Sequence, residues 1–223
     1  CPIRAGSDIA FLGGLLHYAI ETGNYHADYV RLHTNAPFLV KDGFGFADGH
    51  FSGWDPASGS YDTASWQYDL DGNGYAKVDP TLEHPRSVFQ LLKQHYSRYT
   101  AETVSKICGC TPEQFRKVAE IVCSTGRAGR VGTILYALGW TQHSHSVQLI
   151  HTAAMLQLML GNIGMPGGGV NAQRGHSNIQ GSTDMGAWNM LPGYLKMPRA
   201  SQTSLDAYIR DNTPKPLRPD AMN

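Results

Sequence analysis

Arg130-Val131-Gly132-Thr133-Ile134-Leu135-Tyr136-Ala137-Leu138-Gly139-Trp140-Thr141-Gln142-His143 is the stretch whose reading decides the fold. Residues 131–138 form a β-branched and aliphatic run of strand length. Residues 139–143 read as a short polar loop. Ser144 or Ser146 then caps a helix over 147–160. Its apolar positions are Val147, Ile150, Ala154, Leu158 and Leu149, Ala153, Leu156, Leu160. Strand, tight loop and helix are half of a βαβ unit. In open α/β sheets ligands sit beyond the carboxyl ends of strands, where loops feed helix N-termini. The loop 139–143 is therefore the first candidate for a bound group.

The second candidate follows the helix. It reads Gly161-Asn-Ile-Gly164-Met-Pro-Gly167-Gly168-Gly169-Val170-Asn171-Ala172-Gln173-Arg174-Gly175-His176-Ser177-Asn178-Ile179-Gln180-Gly181. Its glycines permit backbone conformations closed to other residues and a close approach of N–H groups to a ligand. Gln142, Asn171, Gln173, Ser177, Asn178 and Gln180 can both donate and accept hydrogen bonds, which suits a heteroaromatic ring or a phosphate. Arg174 is the only Lys or Arg between 161 and 186, and its guanidinium can hold a carboxylate or phosphate by two parallel bonds. A glycine-rich domain junction, with Arg174 paired to a structural carboxylate, explains the same composition equally well.

Eighteen basic and eighteen acidic residues in 223 cancel, so no nucleic-acid partner or anionic membrane surface is indicated. No apolar run is long enough to cross a bilayer, and no signal peptide opens the chain. The start, Cys1-Pro2-Ile3-Arg4, and the Pro-rich end read as the interior of something longer. Cys1, Cys108, Cys110 and Cys123 form no C-x-x-C pair and no zinc quartet, and are expected as free or buried thiols.

Ser7 is the expected N-cap of a helix reaching Thr22 and stopped by Gly23. Asp8 at its start either favours the helix dipole or points outward to a ligand's amino group. His17 is expected in the core. Residues 25–32 read as a second helix and 38–40 as strand-like. Residues 41–80 are an aromatic-rich, mostly irregular insertion. Within it, 66–70 and 75–78 flank the turn signal Asp71-Gly72-Asn73-Gly74. Asp69, Asp71 and Asn73 mimic a calcium loop, but Pro80 stands where the closing glutamate belongs. Helices are expected over 86–99, 100–107, 183–190 and 204–211. Another begins at Thr111-Pro112-Glu113-Gln114, a capping box, and runs to Cys123. His143 and His145 could bind a metal or line a cofactor as part of a polar loop; His176 could transfer protons or hydrogen-bond a ligand. Nucleophile elbow, Walker loop and dinucleotide fingerprint are all missing.

Three stretches resemble one family, the molybdopterin oxidoreductases of the dimethyl sulfoxide reductase type. The segment 2–10, Pro-Ile-Arg-Ala-Gly-Ser-Asp-Ile-Ala, resembles their Pro-x-x-Gly-Thr-Asp-x-Ala motif. The segment 136–143 resembles their second cofactor loop. The segment 167–181 resembles the version in formate dehydrogenase catalytic subunits, of the large respiratory type with molybdenum or tungsten. The likeness extends over nearly the whole chain, including the insertion, Leu191-Pro-Gly-Tyr and Thr213-Pro-Lys-Pro.

The resemblance implies an α/β fold. It would be part of a Rossmann-like parallel-sheet domain (1–176, with the insertion at about 41–80) and the start of a following domain (177–223). It implies two molybdopterin guanine dinucleotides. Gly6, Ser7 and Asp8 would hold a guanine, and Leu138, Gly139, Trp140 and Gln142 would line a pterin-phosphate arm. Gly175, His176 and Asn178 would lie beside the pterin, and Arg174 would orient formate. The metal ligand, a selenocysteine or cysteine followed by histidine, and the cysteines of a four-iron four-sulfur cluster have no counterpart in these 223 residues. The chain is thus expected to be an interior segment, inactive alone. Its expected partners are the rest of its subunit, an iron–sulfur electron-transfer subunit and a cytochrome. Its setting would be anaerobic respiration in the periplasm, with membrane association through those partners. Another molybdopterin enzyme, such as a nitrate reductase, or a non-catalytic cofactor-binding segment, are the alternatives.

Overall fold

Leu12-Gly13-Gly14-Leu15-Leu16 are five consecutive buried residues, so the helix that carries them, α1 (Asp8–Glu21), is covered on every side. A Cβ on Gly14 would stand 2.5 Å from Val104 Cγ2 and 2.8 Å from Phe115 Cζ. These glycines let neighbouring helices approach the α1 backbone closely. Ser7 occupies the N-cap position, yet its hydroxyl donates to Arg4 O (2.6 Å) instead of capping α1. Gly23, at φ +65°, ends the turn that follows α1.

The computed structural model describes residues 1–47, 49–185, 190–191 and 195–213. After α1 come α2 (Ala27–His33), β1 (Phe46–Ala47), β2 (His50–Phe51), β3 (Trp54–Asp55), β4 (Ser60–Tyr61), α3 (Val88–Tyr96), α4 (Ala101–Cys108) and α5 (Pro112–Cys123). Then follow β5 (Thr133–Tyr136), α6 (Leu138–Thr141), α7 (Ser146–Met159), β6 (Gly169–Ala172), α8 (Ile179–Asp184), β7 (Met190–Leu191), β8 (Leu195–Lys196) and α9 (Leu205–Asn212). The chain divides into two compact units, Cys1–Gln173 and Arg174–Asn223.

In the first unit α1 packs against α3, α4, α5 and α7. Leu16, Ala19, Val104, Phe115, Ala119, Leu149, Ala153 and Leu156 form the fully buried centre. The capping box at Thr111 forms in full, with Pro112 in the first turn. His17 is half-buried. The thiols of Cys108, Cys110 and Cys123 are buried and free, and Cys1 is exposed.

Strands β5 and β6 pair in parallel, Thr133 with Gly169 through Tyr136 with Ala172, and α7 crosses between them. The βαβ unit is therefore complete. The fold is mixed α/β, with small sheets that include this parallel pair. Sequence reading left β6 as a glycine-rich loop, because Gly-Val-Asn-Ala carries no strand signature. Residues 131–138 overstate β5, which spans only Thr133–Tyr136. Neither Ser144 nor Ser146 caps α7: His145 holds that position without a side-chain bond. The expected loop 139–143 begins instead as the short helix α6.

The insertion is mostly irregular, with two-residue hairpins β1–β2 and β3–β4. Rings hold it down: Trp66 lies 5.4 Å from Phe51 and 5.2 Å from Tyr61, and its Nε1–H donates to Ser52 O. Bridges from Phe38, Leu39 and Val40 to Val78, Ser87 and Tyr68 anchor its ends. The Asp71 turn forms, and Asp71 Oδ1 accepts from the Asn73 and Tyr75 amides, committing that oxygen to the turn.

In the second unit β7 and β8 pair antiparallel, and Ser204 caps α9. The helix expected at 183–190 lies earlier, at Ile179–Asp184; residues 186–189 fall outside the described residues. So do 192–194 of the Leu-Pro-Gly-Tyr segment and 214–216 of the Thr-Pro-Lys-Pro segment.

Candidate cofactor site

Beyond Tyr136 the chain turns at Ala137 into α6, and this turn brings the Trp140 ring back over Tyr136. The ring centroids are 5.5 Å apart and nearly parallel, at 22°. From there Trp140 Nε1–H donates to Asp8 Oδ1 at 3.0 Å. Two motifs more than a hundred residues apart in sequence thus meet through one hydrogen bond. Asp8 is half-buried in the first turn of α1, where a carboxylate also complements the helix dipole. Its Oδ2 has no hydrogen-bond partner among the described residues.

The segment before Asp8 is fixed to the end of α4. Arg4 N–H donates to Cys108 O, the Arg4 guanidinium donates to Lys106 O and Ile107 O, and Cys108 Sγ donates to Ser7 O. Burial pushes the Cys108 thiol up from its ordinary pKa, so it remains a neutral packing group. Gly6, at φ +83°, makes the bend into α1 with open space where a Cβ would stand.

The second bend starts beside the first. Tyr136 and Ala172 are register partners, and Gln173 N–H donates to Tyr136 O at 2.7 Å. The backbone then passes to Arg174, Gly175, His176 and Asn178, all exposed and all in the second unit. Arg174 makes no hydrogen bond or ion pair among the described residues. Asn178 precedes α8 in a left-handed conformation, φ +52°. Leu138, Gly139 and Gln142 are exposed at the mouth of the first bend.

His143 and His145 sit with ring centroids 5.4 Å apart, and His145 Nε2 is buried with no hydrogen-bond partner among the described residues. A buried unpartnered nitrogen is costly, and either a water or a ligand atom would relieve it. No group of three or more His, Cys, Asp or Glu that could hold a metal exists among the described residues. The polar groups present are compatible with an organic cofactor bearing N–H donors: Asp8 Oδ2 as acceptor, His145 Nε2 as a further polar atom, and open glycine backbone at Gly6 and Gly139. An apolar cavity of about 1080 Å³ beside α3, lined by Phe46, Phe51, Trp66, Tyr68 and Tyr96 among others, includes none of these residues.

Sequence reading missed the residues that hold the amino ends of the two parallel strands together. Asn162 is 1% exposed. Its Nδ2 donates to Thr125 Oγ1 and Gln157 Oε1, and its Oδ1 accepts from Gly132 N–H. Gln157 Nε2 donates to Gly132 O and Gly169 O. This buried amide pair ties the start of β5, the start of β6 and the end of α7. The available signal was an amide beside Leu156 and near Leu160 on an otherwise apolar helix face.

No family model matches the chain. Several formate dehydrogenase subunits match it over all or nearly all of its 223 residues. It is 55% identical to the nitrate-inducible formate dehydrogenase major subunit and 52% identical to the formate dehydrogenase-O major subunit, both of Escherichia coli. It is 48% identical, over 96% of its length, to the formate dehydrogenase 2 subunit alpha (cytochrome c-553) of Nitratidesulfovibrio vulgaris. All three of these relatives are named formate dehydrogenases. The chain spans 22% of the length of the two major subunits and 21% of the third relative. No helix among the described residues is long and apolar enough to cross a membrane.

Proposed function

We propose that the chain is part of a formate dehydrogenase catalytic subunit and supplies loops that bind the two molybdopterin guanine dinucleotides of a molybdenum or tungsten centre. The observation that carries this reading is the full-length match to formate dehydrogenase subunits; the meeting of Asp8 with Trp140 supports the placement of the cofactor. The β5–α7–β6 unit would belong to a Rossmann-like domain covering 1–176, with 177–223 beginning the next. Leu135 supports this: it is 61% exposed on a parallel strand, a strand type that is normally covered on both faces.

In this reading Gly6, Ser7 and Asp8 receive the guanine, with the Asp8 carboxylate accepting from the base. Leu138, Gly139, Trp140 and Gln142 line the pterin-phosphate arm, and Gly175, His176 and Asn178 contact the pterin. Arg174 binds formate and orients it, acting as a charge-assisted clamp in a site that excludes water. Formate becomes carbon dioxide, releasing one proton and two electrons. The metal centre, when bound, supplies the electron-accepting chemistry. A four-iron four-sulfur cluster, with ligands elsewhere in the subunit, an iron–sulfur partner subunit and a cytochrome complete the route. The setting is periplasmic, with a selenocysteine or cysteine as the metal's protein ligand.

The test is Arg174→Lys in the full-length subunit. A point charge cannot reproduce the two-pronged grip, so the KM for formate should rise by about tenfold or more. An unchanged KM removes Arg174 from the substrate site.

A further inference from the structure

We infer that Trp140 is a positioning residue for Asp8: its indole N–H fixes the carboxylate so that the remaining acceptor sites face the guanine of the cofactor. This rests on the proposed cofactor reading and assigns Trp140 a task other than lining the pterin arm.

Three observations carry it. The indole Nε1–H donates to Asp8 Oδ1 at 3.0 Å, and Trp140 is the only side chain among the described residues that hydrogen-bonds this carboxylate. The indole is itself held, because its ring stacks on Tyr136 at the carboxyl end of β5. Tyr136 in turn is fixed by the ladder to Ala172 and by its carbonyl, which accepts from Gln173 N–H. A rigid sequence of contacts therefore runs from the parallel sheet to one carboxylate oxygen. An ionised carboxylate has about four lone-pair sites on two oxygens. The indole uses one on Oδ1, leaving Oδ2 and the second site of Oδ1. A pair of adjacent N–H donors, as on the guanine edge, needs both oxygens at once, so rotation about the Asp8 side chain would break one of the two bonds. A donor that pins Oδ1 without consuming Oδ2 removes that rotation before the ligand arrives.

The test is a double-mutant cycle on the holoenzyme containing the full-length subunit. Its readout is cofactor loss: guanine nucleotide appearing in the filtrate after dilution and a fixed incubation, independent of formate turnover. Trp140→Phe keeps a ring to stack on Tyr136 and removes the N–H donor along with part of the indole's area, which the cycle separates from the effect routed through Asp8. It should speed loss about tenfold, the scale on which outer supporting partners act. Asp8→Asn should speed loss at least as much. The double variant should lose nucleotide no faster than Asp8→Asn alone, because an amide lacks the second acceptor that orientation by Trp140 would present to the guanine. If the two effects multiply, Trp140 acts independently of Asp8 and this inference is overturned, while the cofactor reading stands. If Asp8→Asn leaves the loss rate unchanged, Asp8 does not hold the guanine, and both fall. Should Trp140→Phe fail to accumulate, Tyr136→Leu, which unseats the indole, enters the same cycle with the same two outcomes.

Discussion

Asn162→Leu tests the buried amide pair that joins β5, β6 and α7. Leucine matches asparagine in side-chain heavy-atom count and branching, is bulkier, and carries no polar atom. The change strands two groups: Gly132 N–H, which loses its acceptor, and Gln157 Oε1, which loses its donor. Thr125 Oγ1 is not stranded, because it also donates to Val122 O. A buried polar group left without a partner costs about 1–3 kcal/mol, so the expected loss is about 2–6 kcal/mol. That is a large share of the roughly 5–15 kcal/mol that holds a typical domain. With a urea dependence of about 2 kcal/mol per molar, the unfolding midpoint should fall by about 1–3 M. The control is Asn171→Leu, two residues beyond the Gly169 carbonyl that Gln157 grips. Asn171 Nδ2 donates to Thr133 Oγ1, but the residue is exposed, so water replaces the bond and the cost should stay within about 0.5 kcal/mol. Circular dichroism during urea titration reads both. Equal midpoints for the two variants would refute the claim that burial gives the Asn162 network its weight.

Gly14→Ala forces a methyl into Val104 and Phe115; overpacking of this kind costs about 1–3 kcal/mol and should lower the melting temperature, whereas Gly139→Ala, with open space around it, should not. Burial pushes the Cys123 thiol up to about 12, so at pH 8 iodoacetamide should label exposed Cys1 and leave Cys123 untouched until urea is added; mass spectrometry of the peptides reads this. Asp79 is held down to about 2, first by the Thr81 hydroxyl and then by the His84 amide. A carboxylate depressed in the folded state stabilises above its unfolded value and loses that contribution as pH falls through its folded one, so the 79–84 turn should loosen between about pH 4 and pH 2. Amide exchange at Glu83 and His84 follows it, and unchanged protection down to pH 2 would contradict the assignment.

The helices were legible because their ends carry local chemistry. Thr111-Pro112-Glu113-Gln114 specifies its own capping box, and Gly109, at φ +83°, ends α4 where a side chain would be strained. What the sequence hid was tertiary. Strand β6 has no β-branched run and exists because Gly168 lets the chain pass against the Asn162 carbonyl. The α7 cap was misread because two serines flank His145, while the N-terminal end of the helix instead holds a buried imidazole nitrogen. Residues 139–143 looked like a loop because Gly139 and Trp140 are poor helix formers; the stack of Trp140 on Tyr136 outweighs that local preference.

The site itself was legible only by residue type. Asp8 had two readings, as a dipole partner and as an outward acceptor, and periodicity could not separate them. The geometry shows that they are not exclusive. A residue in the first turn of α1 complements the helix N-terminus wherever its carboxylate turns, whereas which oxygen stays unpaired depends on a tryptophan that arrives from α6. That dependence is a relation between residues far apart in the chain, and it required coordinates.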